Sequence, residues 1–484
     1  MRSRRDRTTL NRRGFVGNAA TLAGAVAFAP SLVTEAKPAD DPPTRLAQAQ
    51  PGPGAAPSPS SPEVKSVSHL AGSTTRYAYA TKAGPWIFLN GHEAFDFETG
   101  LTPDVEGPRG YALSGRPPLR READYILNRM RAILKGFGSD LPNAVRVDQY
   151  YTKGPAVSAY HLARFAEFEG YIPPSTSIIM DRCFCARTNT HTSMIAIVPG
   201  ADWSIQKVTL PGQPISASGY SPAVVANDFV FVAGNMALQQ NGALGQGVDV
   251  RPTARWGGQT AFRRQVHYVI KQALEPSLVA AGSSLEQSLK AQAYIRGTEN
   301  FPDFMDVWLQ YFRDIPCAIT LVPAKDYASS EGMIEINLIA LRNGAGRRKQ
   351  VVQTDLPPLA TWGPCVRAGE LVFASGLMAV GRDGSVPGVD NGAAFDALSL
   401  SGQTQGAMVL SYAESICKAV GVSMRNVLRA QYFMTDVHDF AGVSAAWTDR
   451  FGNQPHPLAV VQVPGPLPAD GACLISDFWI YAPA

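Results

Sequence analysis

VFVAG, at residues 230–234, is an apolar run that ends in a glycine. Two runs of the same kind occur elsewhere in the chain, WIFLNG at residues 86–91 and VFASG at residues 372–376. Their final glycines, at positions 91, 234 and 376, recur at intervals of roughly 140 residues, which indicates an internal repeat. Short apolar runs rich in β-branched and aromatic residues are typical of buried strands. We therefore expect one structural unit to occur three times.

A second landmark repeats at nearly the same distance. Each copy has a β-rich segment that contains glutamine and aromatic residues, VDQYY at 147–151, AQAYI at 291–295 and AQYF at 430–433. The spacing aligns Gln149 with Gln292 and Gln431. Before the middle segment, apolar residues recur every four positions from Val266 to Leu278, which is typical of a helix with one buried face.

The order of elements within each copy predicts the fold class. Each copy follows the order β-β-α-β-α-β-β, which indicates an α+β domain with helices on one face of a single mixed sheet. The other sheet face must also be covered, and another copy of the unit is the obvious cover. We expect the three domains at residues 64–203, 204–350 and 351–484, the first being the most divergent.

Composition excludes several classes of protein. The chain has 484 residues, of which 45% are hydrophobic and 17% charged, so it is able to form buried cores. The net charge is +3, but six arginines lie within the first 13 residues, and the rest is close to neutral. A near-neutral body lacks the electrostatic footprint of a nucleic-acid or anionic-membrane partner.

The N-terminus is predicted to be a targeting segment. Arg12 and Arg13 are followed by Gly-Phe-Val and an Ala/Gly-rich apolar run, a pattern that resembles the twin-arginine export signal. We assign residues 1–36 to this signal and the Pro/Ala/Ser-rich residues 37–63 to a linker. The predicted location is periplasmic or secreted, with no stable membrane span after cleavage.

The cysteines and other motifs predict neither a disulfide framework nor a cofactor. Six cysteines in a chain of this length are too sparse for a disulfide framework, although a disulfide stays open in an oxidising compartment. Cys183, Cys185 and His191 do not match a zinc-site spacing. We find no phosphate loop, dinucleotide fingerprint or nucleophile elbow, and expect no metal or organic cofactor.

Several short segments resemble the YjgF/RidA family of imine and enamine deaminases. The second copy contains GYSPAV at 219–224, AGSSL at 281–285 and MIEI at 333–336, and the third contains AVGVS at 419–423. Members of that family are homotrimers of one such domain, with ligand pockets between subunits. The resemblance therefore implies three tandem RidA-like (chorismate-mutase-like) domains that form an intramolecular pseudo-trimer, monomeric because the trimer is fused, with a small-molecule ligand.

The resemblance also singles out candidate site residues. Glu335 matches the family glutamate that helps to hold the attacking water, and Tyr220 lies at the position of a pocket tyrosine. An aromatic residue occurs 14 positions before the repeated glycine in every copy. Glu335 and Tyr220 are thus the catalytic candidates, and the ligand-binding candidates are Tyr77, Trp362, Gly234, Asn235, Thr320 and Gly376.

One departure from the family pattern leaves the function open. The family places a carboxylate-binding arginine two residues after a proline, where this chain has Thr176, Ala318 and Ala459. The implied function is therefore a deaminase or hydrolase that adds water to a C=N or C–N bond of a neutral or aromatic small molecule. Alternatives are a non-catalytic binding or scavenging protein and a purely structural role. His92 and Glu93, which follow Gly91 directly, form a further possible acid–base pair.

Overall fold

The structure is a computed structural model that describes residues 61–106, 115–210, 218–239, 241–248, 259–327, 329–389 and 400–483. The expected signal at residues 1–36 and nearly all of the expected linker lie outside these residues. Within the described part of the chain, no helix is both long and apolar enough to cross a membrane.

The first third of the described chain contains the most elements. Its strands are β1 (Glu63–Val67), β2 (Tyr77–Ala83), β3 (Trp86–His92), β4 (Phe95–Asp96), β5 (Gly100–Leu101), β6 (Ala144–Tyr151), β7 (Ser175–Ile179), β8 (Arg182–Cys183) and β9 (Thr190–Ile197). Its helices are α1 (Pro103–Glu106), α2 (Pro118–Lys135) and α3 (Gly154–Glu167). Every residue of β3 is buried, as the continuous apolar run predicts.

The middle third begins after β9. Its strands are β10 (Ile205–Val208), β11 (Ala223–Ala226), β12 (Phe229–Met236), β13 (Ser288–Arg296), β14 (Ala318–Ala324), β15 (Asp326–Tyr327) and β16 (Ile334–Leu341). Its helices are α4 (Ala261–Tyr268), α5 (Glu275–Ala280) and α6 (Phe301–Phe312), and a π-helical turn over Val269–Leu274 joins the first two.

The last third repeats the same order with fewer short strands. Its strands are β17 (Lys349–Val352), β18 (Cys365–Ala368), β19 (Leu371–Phe373), β20 (Val427–Met434), β21 (Leu458–Gln462) and β22 (Leu474–Tyr481). Its helices are α7 (Ser401–Ala419) and α8 (Phe440–Phe451). β17 begins at Lys349, two residues before residue 351, where the third domain was expected to begin.

Apart from β4 and β5, which pair with each other, these strands form three mixed sheets. The first sheet has the order β1-β2-β3-β9-β6-β7-β15, the second β10-β11-β12-β16-β13-β14, and the third β17-β18-β19-β22-β20-β21-β8. β15 comes from the middle third but completes the first sheet, and β8 comes from the first third but completes the third sheet. Two of the three sheets therefore end on a strand supplied by a neighbour.

Each sheet packs its helices on one face and the other sheets on the opposite face. The faces without helices share two apolar clusters, and to one of these all three sheets contribute large aromatic side chains, Trp86, Phe88, Phe229, Phe231, Phe373 and Trp479. The α+β class is thus confirmed. All six cysteines are unpaired, and five of them are buried.

Polar side chains also occupy the place where the three sheets meet. Asp148 of the first sheet accepts hydrogen bonds from Arg146 Nε (2.9 Å) and from Arg429 Nη1 of the third sheet (3.3 Å). Lys290 of the second sheet pairs with Asp477 of the third at 2.9 Å. All five side chains are nearly or fully buried. We call this group the central polar cluster.

The central polar cluster corrects one alignment made from spacing. Strands β6, β13 and β20 each have an irregularity just before Arg146, Lys290 and Arg429, respectively. Two residues later come Asp148, Gln292 and Gln431, so Asp148 and not Gln149 is the counterpart of the two glutamines. A shift of one residue moves a side chain to the other sheet face. Gln149 accordingly accepts a hydrogen bond from Ser177 Oγ, outside the cluster.

We expect Asp148→Asn to lower the free energy of unfolding by about 3–5 kcal/mol, because it leaves two buried guanidinium groups without their shared carboxylate. The measurement is the urea unfolding midpoint of the full chain. The matched control is Asp355→Asn, which removes the exposed partner of Arg382 and should cost less than about 1 kcal/mol. Equal losses in the free energy of unfolding for the two substitutions would contradict the proposed contribution of the cluster to stability.

Candidate functional site

The three repeated glycines occupy equivalent places, each facing strand β7, β14 or β21 of a neighbouring sheet. A Cβ built on Gly234 would meet Glu335 and Thr176, and one built on Gly376 would meet Thr320, Trp362 and Ile475. A Cβ built on Gly91 would lie 3.1 Å from His191 Cε1 and from Ala459 Cα. We refer to these places as the Gly91, Gly234 and Gly376 junctions.

The Gly234 junction carries a buried carboxylate. Glu335 lies on β16 opposite Met236 and is 4% exposed. Its Oε1 accepts a hydrogen bond of 3.2 Å from the backbone N–H of Ser177, which belongs to β7 of the first sheet. Burial raises the pKa of Glu335 to about 8, and the nearby charge of Asp148 adds to this, whereas the Ser177 N–H opposes it. The carboxyl group is thus protonated at neutral pH and can accept a proton in mildly alkaline solution.

Strand register shows what stands in place of Glu335 in the other two junctions. Glu335 pairs with Tyr294 across β13 and β16, just as His191 pairs with Tyr150 and Ile475 pairs with Phe433. The same backbone position therefore carries a carboxyl group, an imidazole and an aliphatic side chain. Asp477 lies two residues further along, opposite Gln431, and belongs to the central polar cluster instead.

The three predicted aromatic residues do not share one environment. Tyr77 is almost fully buried, and its hydroxyl donates to the backbone carbonyl of Asn90. Tyr220 is half-buried and its backbone bridges to Ile172 of the first sheet. Trp362 is also half-buried and packs edge-to-face on Phe301 at 6.2 Å. Tyr220 lies beside the Gly234 junction and Trp362 at the Gly376 junction, whereas the Tyr77 hydroxyl is engaged by the backbone.

The remaining predicted binding residues lie at the Gly234 and Gly376 junctions. Asn235 is half-buried, and its Nδ2 donates to the backbone carbonyl of Ala233 at 2.7 Å. Thr320 is fully buried, and its hydroxyl donates to Asp477 and accepts from Lys290. Gly376 donates its N–H to Ile319 at 2.9 Å. Thr320 thus joins the Gly376 junction to the central polar cluster and does not lie at the Gly234 junction.

Strand register corrects the alignment of one position at which an arginine was expected from the family resemblance. Thr176, Thr320 and Ala459 are equivalent by register, because they pair with Asp148, Gln292 and Gln431. In the second sheet the position is therefore Thr320 and not Ala318. This register position holds two threonines and an alanine.

A buried arginine that sequence reasoning missed lies near the Gly234 junction. Arg164, on α3, donates from Nη1 to Ser175 Oγ at 3.0 Å and from Nη2 to the carbonyl of Ser218 at 2.8 Å. It is fully buried, and it holds the backbone just before Tyr220. The sequence did not indicate a role for Arg164, because it lies among core residues on the buried face of α3. Its hydrogen-bond partners are distant in the sequence, so no local pattern points to them.

Comparison with known proteins agrees with this fold. A sequence model of the family described as Endoribonuclease L-PSP matches residues 212–342 and 352–470, about half of the chain. A RutC family protein of Aquifex aeolicus is 24% identical over 142 residues, which cover 28% of this chain and 100% of that protein.

Solved structures with similarity to this chain include yeast Mmf1 and a chorismatase. Mmf1 is 22% identical and has a TM-score of 0.24, over 29% of this chain and 99% of its own. The chorismatase is 11% identical and has a TM-score of 0.35, over 54% of this chain and 76% of its own.

We expect Glu335→Gln to gain stability relative to the unsubstituted protein as the pH rises from 4.5 to about 8. In this interval the unfolded chain has released the Glu335 proton while the folded protein retains it, so the stability that this group contributes falls with rising pH. Glutamine does not titrate, and the difference should reach the order of a few kcal/mol. Urea unfolding midpoints measured at both ends of the interval test this, and a constant difference would contradict the raised pKa.

Proposed function

The chain belongs to the Endoribonuclease L-PSP family, which is the YjgF/RidA family, and on that premise we propose that it is a hydrolase that deaminates a small molecule at the Gly234 junction. The reaction is the addition of water to a polarised C=N or C–N bond. Glu335 is the general base, and Tyr220 and the backbone near Gly234 contact the ligand.

The observation that carries this proposal is the state of Glu335. A carboxyl group with a pKa of about 8 changes its protonation near physiological pH, which suits a general base or acid. It lies between two sheets, where Gly234 leaves the carboxyl oxygen without a side chain in front of it. The Ser177 N–H donates to Oε1 and holds the group in place.

The proposed step balances without a cofactor. Ionised Glu335 takes a proton from water while the water oxygen attacks the carbon of the C=N bond, and Glu335 passes this proton to the nitrogen. Glu335 then takes the hydroxyl proton of the tetrahedral adduct and passes it to the departing nitrogen, as the C–N bond breaks and the C=O bond forms. The products are a carbonyl compound and ammonia or an amine.

The chemistry of the junction supports a neutral or aromatic ligand. The strand position of the family arginine holds Thr176 here, and the nearby Arg164 is engaged by Ser175 and Ser218. The half-buried Tyr220 offers an aromatic face to a flat ligand. The near-neutral charge of the chain beyond its first 13 residues favours a small molecule over RNA as the substrate.

We further propose that the three domains form a closed pseudo-trimer and that the protein is exported. Support for the pseudo-trimer comes from β8 and β15, which extend the sheets of their neighbours, and from the shared aromatic cluster. Support for export comes from Arg12, Arg13 and the apolar run that follows them.

The first test of function is turnover. We expect a thermal-shift screen against imines, cyclic amides and aromatic amines to yield a ligand that the protein converts with release of ammonia or amine. Turnover should rise with pH to a plateau above about 8, because Glu335 must lose its proton. Glu335→Gln should reduce turnover by at least about 100-fold while binding persists.

Glu331→Gln is the matched control, because this exposed carboxylate lies four residues before Glu335 and outside the junction. It should leave turnover unchanged. Stabilisation by a ligand without turnover would instead establish the alternative, a binding or scavenging protein. The absence of any ligand would favour a structural role.

The second test concerns assembly. We expect the full chain to have a solution mass close to its own 51.8 kDa by light scattering, because one chain supplies all three sheets. A mass corresponding to three chains would contradict the fused pseudo-trimer.

A further inference from the structure

The Gly91 junction carries a histidine where the Gly234 junction carries Glu335. His191 pairs with Tyr150 in the register in which Glu335 pairs with Tyr294. Each of the two side chains lies against the repeated glycine of its own sheet. The junction is therefore built on the same backbone frame with a different ionisable group.

A carboxylate that directly follows the neighbouring strand β3 holds this histidine. Glu93 Oε1 lies 2.8 Å from His191 Nδ1, and both side chains are buried, with 0% and 1% exposure. Three further donors bind the carboxylate, the backbone N–H groups of Phe184 and Cys185 at 2.8 Å and Thr188 Oγ1 at 2.7 Å. Glu93 thus pairs with His191 and not with the adjacent His92, which contacts the carbonyl of Tyr79 instead.

This arrangement determines the tautomer of His191. A carboxylate bound by three donors is an acceptor, so His191 places its proton on Nδ1 and leaves a lone pair on Nε2. Nε2 is buried and has no hydrogen-bond partner among the described residues. A proton taken up at Nε2 gives an imidazolium that Glu93 stabilises.

The other fully buried histidines also have one ring nitrogen without a partner among the described residues, but the partner of their second nitrogen is not a carboxylate. His92 contacts the backbone carbonyl of Tyr79, and His456 contacts the hydroxyl of Tyr432, both neutral groups. Burial lowers the pKa of both His92 and His456 to about 3, so they stay neutral. His191 combines burial with a carboxylate partner, as acid–base histidines do.

The side chains that face His191 across the junction are small. Strand β21 of the third sheet presents Ala459 where the equivalent strands β7 and β14 present Thr176 and Thr320. Gly91 lies on the other side, with a φ of +58° that L side chains rarely adopt. The loop that binds Glu93 continues from β8, which is itself an edge strand of the third sheet. The pair is thus held where the first and third sheets meet.

We propose that the Gly91 junction is a second acid–base site, in which His191 Nε2 accepts a proton from the N–H or O–H group of a small neutral ligand and Glu93 stabilises the imidazolium. The N–H or O–H bond of the ligand breaks as the Nε2–H bond forms, and its electron pair stays on the ligand. The same proton then returns to a conjugated atom of the ligand, so that the step is a tautomerisation that needs no co-reactant. The site lies on different sheets from Glu335 and does not depend on turnover there.

The test uses the full chain with ¹⁵N-labelled histidine and 2-pyrrolidinone, a neutral cyclic amide with one N–H donor. We expect the His191 Nε2 resonance, assigned by its loss in His191→Gln, to shift upfield and to saturate as the amide is added. The resonances of His92 and His456 serve as internal controls and should not move. A His191 resonance that does not respond would overturn the proposal, because packing would then close Nε2 to ligands.

Two variants separate this site from the proposed hydrolase site. Glu335→Gln should leave the His191 response unchanged, whereas Glu93→Gln should weaken it by removing the carboxylate that sets the tautomer. A response abolished by Glu335→Gln would place the amide at the Gly234 junction and overturn the proposal. If no substrate is ever turned over, the proposed hydrolase fails, but the response of His191 still decides this inference.

Discussion

Burial of charge at the meeting point of the three sheets constrains the whole structure. Arg146, Lys290 and Arg429 each come from a different sheet, and Asp148 and Asp477 neutralise two of these three charges. Moving such groups out of water costs several kcal/mol each. Asp148 of the same strand pairs with Arg146, whereas the carboxylates that pair with Lys290 and Arg429 come from another sheet. The buried charges of the second and third sheets therefore depend on a neighbouring sheet for their partners. Strands β8 and β15 also connect neighbouring sheets. Each pairs with the outer strand of a neighbour's sheet, which would otherwise be an open edge.

The three junctions differ because one chain supplies all three sheets. An assembly of identical subunits must repeat every substitution at all of its equivalent sites, whereas one chain with three divergent units can vary each site alone. The position opposite Tyr150, Tyr294 and Phe433 shows the result, with His191, Glu335 and Ile475 on one backbone frame. The environments follow from these choices. Glu335 has a single backbone donor and a raised pKa, while His191 has a carboxylate partner.

Much of the fold could be predicted from the repeated runs, because a buried strand needs a continuous apolar segment and its glycine marks a close backbone approach. Residues 86–91 and 230–234 lie in the strands expected of them. Register could not be predicted in the same way. Gln149 matched two glutamines by spacing, yet Asp148 takes their place, because one extra residue between the units reverses the face of every side chain that follows.

The sequence by itself determined the α+β class and the recurrence of the apolar runs, and it gave the resemblance to the family and the candidate carboxylate Glu335, because each of these depends on local pattern or on short motifs. Only the tertiary structure decided which groups meet. Glu93 and His191 are 98 residues apart. Arg164, on helix α3 in the first third of the described chain, donates a hydrogen bond to the carbonyl of Ser218, two residues before Tyr220. Contacts of this kind depend on strand register and on the packing of one sheet against the next, and no local pattern encodes either.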